Sequence, residues 1–142
     1  MSERELLLVE DDPGDVRLTR EALRDCGIAC QVHAVADGVE ALRYLRGEGP
    51  YASARRPHLV LLDLNLPRRD GREVLREMKA DPLLRRIPVV VLTTSDSADD
   101  VRTAYDLHAN SYIRKPLDLD LFTATIASLG EYWFKRVVLP ET

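Results

Sequence analysis

Four short apolar runs in this chain each end on a polar or charged cluster. Leu6-Leu7-Leu8-Val9 runs into Glu10-Asp11-Asp12, and Leu59-Val60-Leu61-Leu62 into Asp63. Val89-Val90-Val91-Leu92 runs into Thr93-Thr94, and Ser111-Tyr112-Ile113-Arg114 into Lys115-Pro116. Runs that are apolar throughout, rather than alternating, predict strands covered on both faces, the habit of a parallel sheet. In an open parallel α/β sheet the ligand crevice lies beyond the carboxyl ends of the strands. The four clusters should therefore converge on one sheet edge. Carboxylates, a hydroxyl and an ammonium gathered there would suit a divalent cation and a phosphoryl group.

The segments between the runs read as helices. Asp12 can cap a helix with Pro13 at its first position, running to about Asp25 and stopped by Gly27. A second strand over about 30–36 leads through Asp37-Gly38 into a helix ending near Arg46, and 47–56 reads as a surface loop. A third helix carries Val74, Leu75 and Met78 inward and stops near Asp81-Pro82. Pro88 opens the fourth strand. Ser97 followed by Asp100 reads as a capping box for a helix ending near His108. Asp118 caps a last helix with Phe122, Ile126, Leu129 and Trp133 on one stripe, and that helix is expected to extend through about 130–142.

Five strand–helix units predict an α/β sheet covered on both faces. Right-handed crossovers leave few topologies, and the flavodoxin-like (βα)5 doubly wound sheet with strand order 2-1-3-4-5 is the one expected. It sets strands one and three side by side, so Glu10, Asp11 and Asp63 should meet. The chain's 142 residues suit one domain over 1–142.

Other classes are disfavoured. A net charge of −4 gives no electrostatic case for nucleic acid or an anionic membrane, and no stretch is left for a helix-turn-helix unit. No apolar run approaches the roughly 20 residues of a membrane span, and the first residues lack the pattern of a secretion signal. Cys26 and Cys30 have no nearby His and read as reduced thiols, so a cytoplasmic location is expected. No Gly-x-Gly-x-x-Gly follows a strand, against a dinucleotide or flavin module. His33, His58 and His108 are scattered and read as structural or solvated. Arg68-Arg69 read as solvated, and Asp12 as a cap alone.

Two unit charges about 4 Å apart repel by roughly 4 kcal/mol at an effective dielectric of 20, so clustered Glu10, Asp11 and Asp63 should take up a cation readily. All-oxygen ligands indicate Mg²⁺ or Mn²⁺. Asp63 ends the central strand, and a carboxylate there can accept a phosphoryl group as an acyl phosphate. Such transfer needs positioning and charge neutralisation, which Thr93 and Lys115 would supply. The sequence leaves the isomer of the bond before Pro116 open, since most such bonds are trans and a cis one would aim Lys115.

Glu10-Asp11, Asp63 with Asn65 and Pro67, Asp70-Gly71, Thr93, Tyr112 and Lys115-Pro116 resemble, in order and over nearly the whole chain, the receiver domains of bacterial two-component response regulators. The resemblance implies that Asp63 is the phosphoacceptor. Asp11 and the Asn65 carbonyl would bind the metal directly, and Glu10 largely through water. Thr93 and Lys115 would contact the phosphoryl group, Thr93 and Tyr112 would switch, and Asn65, Thr94 and Ser95 would influence water access. It further implies a partner histidine kinase and no catalytic turnover beyond self-phosphorylation and self-dephosphorylation.

The segments 8–13, 62–67, 91–95 and 107–110 and the tail 132–140 are similar to single-domain regulators paired with bacterial phytochrome kinases. By that similarity Trp133, Phe134, Val137, Val138 and Leu139 belong to a homodimer surface; the alternative is that they close the domain's own core. The competing activity is an aspartate-nucleophile phosphohydrolase. It needs a second acid two residues after the nucleophile, where this chain has Asn65.

Overall fold

The apolar runs pair into one parallel sheet. The computed structural model describes residues 3–141. Its strands are β1 (Arg4–Val9), β2 (Cys30–Val35), β3 (Leu59–Leu62), β4 (Val89–Thr93) and β5 (Ser111–Arg114). They alternate with helices α1 (Pro13–Asp25), α2 (Gly38–Arg46), α3 (Gly71–Ala80), α4 (Ala98–Asp106) and α5 (Leu119–Glu131). All pairings are parallel and the order is β2-β1-β3-β4-β5, the order expected.

Alternation along the strands divides the core in two. Leu7, Val9, Val60, Leu62, Val89 and Val91 face α2, α3 and α4. Leu6, Leu8, Leu59, Leu61, Val90 and Leu92 face α1 and α5 through Leu23, Phe122, Ile126 and Leu129. Both faces are buried, so the strands are apolar at every position and end where the cover ends. Register then fixes the tips: Val9 lies opposite Leu62, Leu62 opposite Val91, and Thr93 opposite Arg114.

Each helix starts on a side-chain cap. Asp12, Asp37, Asp70, Ser97 and Asp118 accept from backbone N–H groups of α1 to α5 respectively, contacts worth about 1 kcal/mol each. The capping box at Ser97 is only half formed. Ser97 accepts from Asp100 N–H, but the Asp100 carboxylate is held instead by Ser95 and Arg72. The 47–56 loop contains a 3₁₀ turn at Gly49–Tyr51, tied to α2 where the Tyr51 hydroxyl donates to Glu40 Oε2 at 2.8 Å.

The last helix departs from expectation. After Glu131 it widens into a π-helical turn, Tyr132–Arg136, closed by Val137 N–H donating to the Tyr132 carbonyl at 2.9 Å, and Val137 is extended. It does not continue as an α-helix through 130–142. The wider turn lets Trp133 and Phe134 both pack on the α1–α5 core, and Leu139 is buried beyond it. No helix of the described residues is long and apolar enough to cross a membrane.

Candidate phosphoacceptor site

Asp63 leaves the end of β3 with its N–H bonded to the Val9 carbonyl at 3.1 Å, which ties the two acidic tips together. One oxygen from each of Glu10, Asp11 and Asp63 lies within 4.8 Å of the others. Glu10 is committed on both oxygens: Oε1 accepts from Lys115 at 2.5 Å and Oε2 from the Asp12 N–H at 3.1 Å. Asp11 is exposed and has no hydrogen-bond partner among the described residues. The donor set is hard and all oxygen, so it fits Mg²⁺ or Mn²⁺. Asp11 is the carboxylate with both oxygens free among the described residues, Asp63 meets Lys115 only at 3.5 Å, and Glu10, held at 2.5 Å, is better placed to act through water.

Asn65 lies on the exposed loop after Asp63, and its N–H donates to Asp63 Oδ1 at 3.1 Å. That bond fixes one face of the Asp63 carboxylate. Gly71, the first residue of α3, backs the same loop. A Cβ there would run into the Asp63 carbonyl oxygen and lie 2.7 Å from Leu64 Cα, so only glycine lets the helix begin so close.

Lys115 is buried and sees three carboxylates: Glu10 at 2.5 Å, Asp15 at 2.9 Å and Asp63 at 3.5 Å. Burial works against the ammonium, but the bonds to Glu10 and Asp15 outweigh it and hold its pKa above the ordinary value. Burial pushes the Glu10 carboxyl the other way, up to about 7, in spite of Lys115. The Lys115–Pro116 peptide is trans, since the described residues include no cis bond. The tertiary amide does not by itself demand cis. The lysine is aimed instead by its N–H bond to the Thr93 carbonyl at 2.6 Å and by its ion pairs.

Thr93 is fully buried at the tip of β4, and its hydroxyl has no hydrogen-bond partner among the described residues. Such a group forgoes about 1–3 kcal/mol and is a donor waiting for an acceptor. Thr94 is exposed on the loop that follows, and Pro116 is half-buried behind Lys115. Tyr112 lies half-buried on β5, and its hydroxyl donates to the Ser95 carbonyl at 2.7 Å. Ser95 Oγ donates to Asp100, and Arg72 binds Asp100 and Asp70 together. The Ser95 bond and Arg72 hold the Asp100 carboxyl below its usual range.

Two features escaped the sequence reading. Asp15 at the third position of α1 looks like an ordinary acid favoured by the helix dipole, and nothing local links it to Lys115. The Arg72–Asp100–Ser95 chain joins residues on separate elements. Arg68 and Arg69 are not merely solvated: Arg68 pairs with Asp37 at 3.1 Å, and Arg69 with Glu73 at 3.2 Å and with Glu77.

Residues 6–127 match the response regulator receiver domain family. The response regulator Rcp1 of Synechocystis is 45% identical over 135 residues, covering 95% of this chain and 92% of that protein. The structure of the phosphorylated cyanobacterial phytochrome response regulator RcpA superposes with a TM-score of 0.95 at 49% identity, over 99% of this chain and 100% of that one. The Mn²⁺-bound form of Rcp1 superposes with a TM-score of 0.93 at 44% identity, over 97% and 99% of the two chains. The acidic pocket described above lies in a fold that in that relative holds Mn²⁺.

Proposed function

This chain belongs to the response regulator receiver domain family, and from that premise we propose that Asp63 takes a phosphoryl group from a partner histidine kinase, with Mg²⁺ or Mn²⁺ present. The observation that carries this is the convergence of Asp63, Asp11, Glu10 and Lys115 on one sheet edge. In the transfer an Asp63 Oδ attacks phosphorus, the P–N bond to the kinase histidine breaks, and that nitrogen leaves with its electron pair and takes a proton. Bound Mg²⁺ supplies neutralisation of the phosphoryl charge. Asp11, Asp63 and the Asn65 carbonyl would hold the ion, with Glu10 acting through water. Lys115 pairs with a phosphoryl oxygen, and Thr93 gives its unpartnered hydroxyl to another.

Movement of Thr93 draws on the loop that Tyr112 grips through Ser95, and this biases the face made by α4, β5 and α5. Asn65, Thr94 and Ser95 govern the approach of water that resets the switch, and Pro116 backs Lys115. Residues 1–142 act as one receiver unit in the cytoplasm, without nucleic acid or membrane as partner. The protein turns over no small-molecule phosphate ester; Asn65 stands where a phosphohydrolase needs its acid.

A phytochrome kinase is the partner to try first, supported by the identity to Rcp1 and by the likeness to the phytochrome response regulator RcpA. Of the tail residues expected on a homodimer surface, Trp133, Phe134 and Leu139 turn into the domain's own core and Val138 is exposed; with Leu117, Leu119, Leu121 and Tyr132 it supports a homodimer through the region of α5 and the tail, checked by light scattering at micromolar concentration. The central test is incubation with acetyl phosphate and Mg²⁺, read by intact mass. Wild-type protein gains one phosphoryl group and Asp63→Ala gains none; labelling of the variant would refute the assignment.

A further inference from the structure

An ammonium has three N–H donors and no acceptor. At Lys115, Glu10 Oε1 takes one, 2.5 Å from Nζ, and Asp15 Oδ2 takes another at 2.9 Å, while Asp63 Oδ2 stands 3.5 Å from Nζ, within reach of the third. Two short contacts and one long one define a direction. Lysine is a flexible chain, and a single anchor at Glu10 would leave its head free to pivot about that contact. A second anchor on another element removes the pivot. Asp15 is well placed for this, because it sits in the first turn of α1. Its own N–H lies 3.4 Å from the Asp12 cap, and Thr19 Oγ1 donates to its carbonyl at 2.8 Å. The carboxylate is therefore carried by a fixed helix start and not by a loop.

We infer that Asp15 is a positioning residue for phosphoryl transfer: with Glu10 it holds the Lys115 ammonium on two points, so that the remaining N–H faces the Asp63 carboxylate. This rests on the receiver reading above. Asp15 touches neither the phosphoryl group nor the metal, and acts through Lys115. Asp15→Ala leaves α1 intact, because alanine favours helix and Asp12 supplies the cap.

The test is the initial rate of Asp63 phosphorylation by acetyl phosphate at saturating Mg²⁺, followed by intact mass. Asp15→Ala should lower the rate about tenfold, the usual effect of removing a group that orients a reactive side chain. Asp15→Asn keeps an acceptor oxygen and should recover the rate to within about threefold. In a Lys115→Gln background, Asp15→Ala should change the rate less than about twofold, because two residues acting through one contact are not additive. A rate for Asp15→Ala within twofold of wild type would overturn the inference, as would an undiminished loss in the Lys115→Gln background. Those outcomes leave the receiver reading standing; a wild-type protein that takes no label removes both.

Discussion

Strand β1 buries a glutamate near each end, and the two keep opposite company. Glu5, 4% exposed, meets His33 Nε2 at 2.9 Å and Arg55 at 3.4 Å, and its own N–H donates to His58 Nδ1 at 3.0 Å. Glu10, 6% exposed, shares one ammonium with Asp15 and Asp63 and has Asp11 beside it. At the amino edge, bases outnumber the acid; at the carboxyl edge, acids outnumber the base. Burial of a carboxylate is common to both, so burial does not mark the site. An excess of one charge does, because it leaves a demand that an added cation, or a proton held on Glu10, can meet.

The sharpest way to break this contrast is to delete the cation at each end. Lys115→Met strands buried carboxylates and should cost about 3–5 kcal/mol in urea unfolding without Mg²⁺, with part of the loss restored by Mg²⁺. Arg55→Met at the exposed partner of Glu5 should cost less than about 1 kcal/mol and be indifferent to Mg²⁺. Equal losses, or equal responses to Mg²⁺, would erase the distinction.

Acidity gives a second, smaller contrast. The Glu10 pKa is raised from 4.5 to about 7 by burial, so the folded state holds a proton that the unfolded state has released. That contribution is fully present below pH 4.5 and is lost as pH rises through about 7. Metal-free protein should therefore lose about 1–3 kcal/mol over this window from Glu10 alone, and Glu10→Gln should flatten the profile. Unfolding at a series of pH values checks this.

The smallest contrast concerns two tyrosine ties. Tyr112→Phe frees the Ser95 carbonyl and Tyr51→Phe frees Glu40, each at about 1 kcal/mol in unfolding measurements. Phosphorylation should alter the cost at Tyr112 and leave that at Tyr51 unchanged.

Much of this is legible in the sequence. Strands apolar at every position are required by a sheet covered on both faces, and their polar ends mark where the cover stops. The caps at Asp12, Ser97 and Asp118 mark where the chain turns into helix, whereas Asp37 and Asp70 read only as turn and loop residues and their capping shows only in the structure. Asp15 was not legible, because its partner lies 100 residues away and a first-turn aspartate already has a local reason to be there. Asp100 misled for the same reason: a spacing that suits a capping box also suits an acid reaching across to Arg72. The π-helical turn after α5 follows from how Trp133 and Phe134 share one patch of core, which no local rule specifies.

Gly71 places the start of α3 hard against the backbone of Asp63, with no room for even a methyl group. On the neighbouring strand β4 the buried Thr93 hydroxyl has no partner among the described residues, and the Ser95 carbonyl beyond it is held by Tyr112. Under the function proposed above, α3 is then the stationary frame and the β4–α4 turn the part left to move.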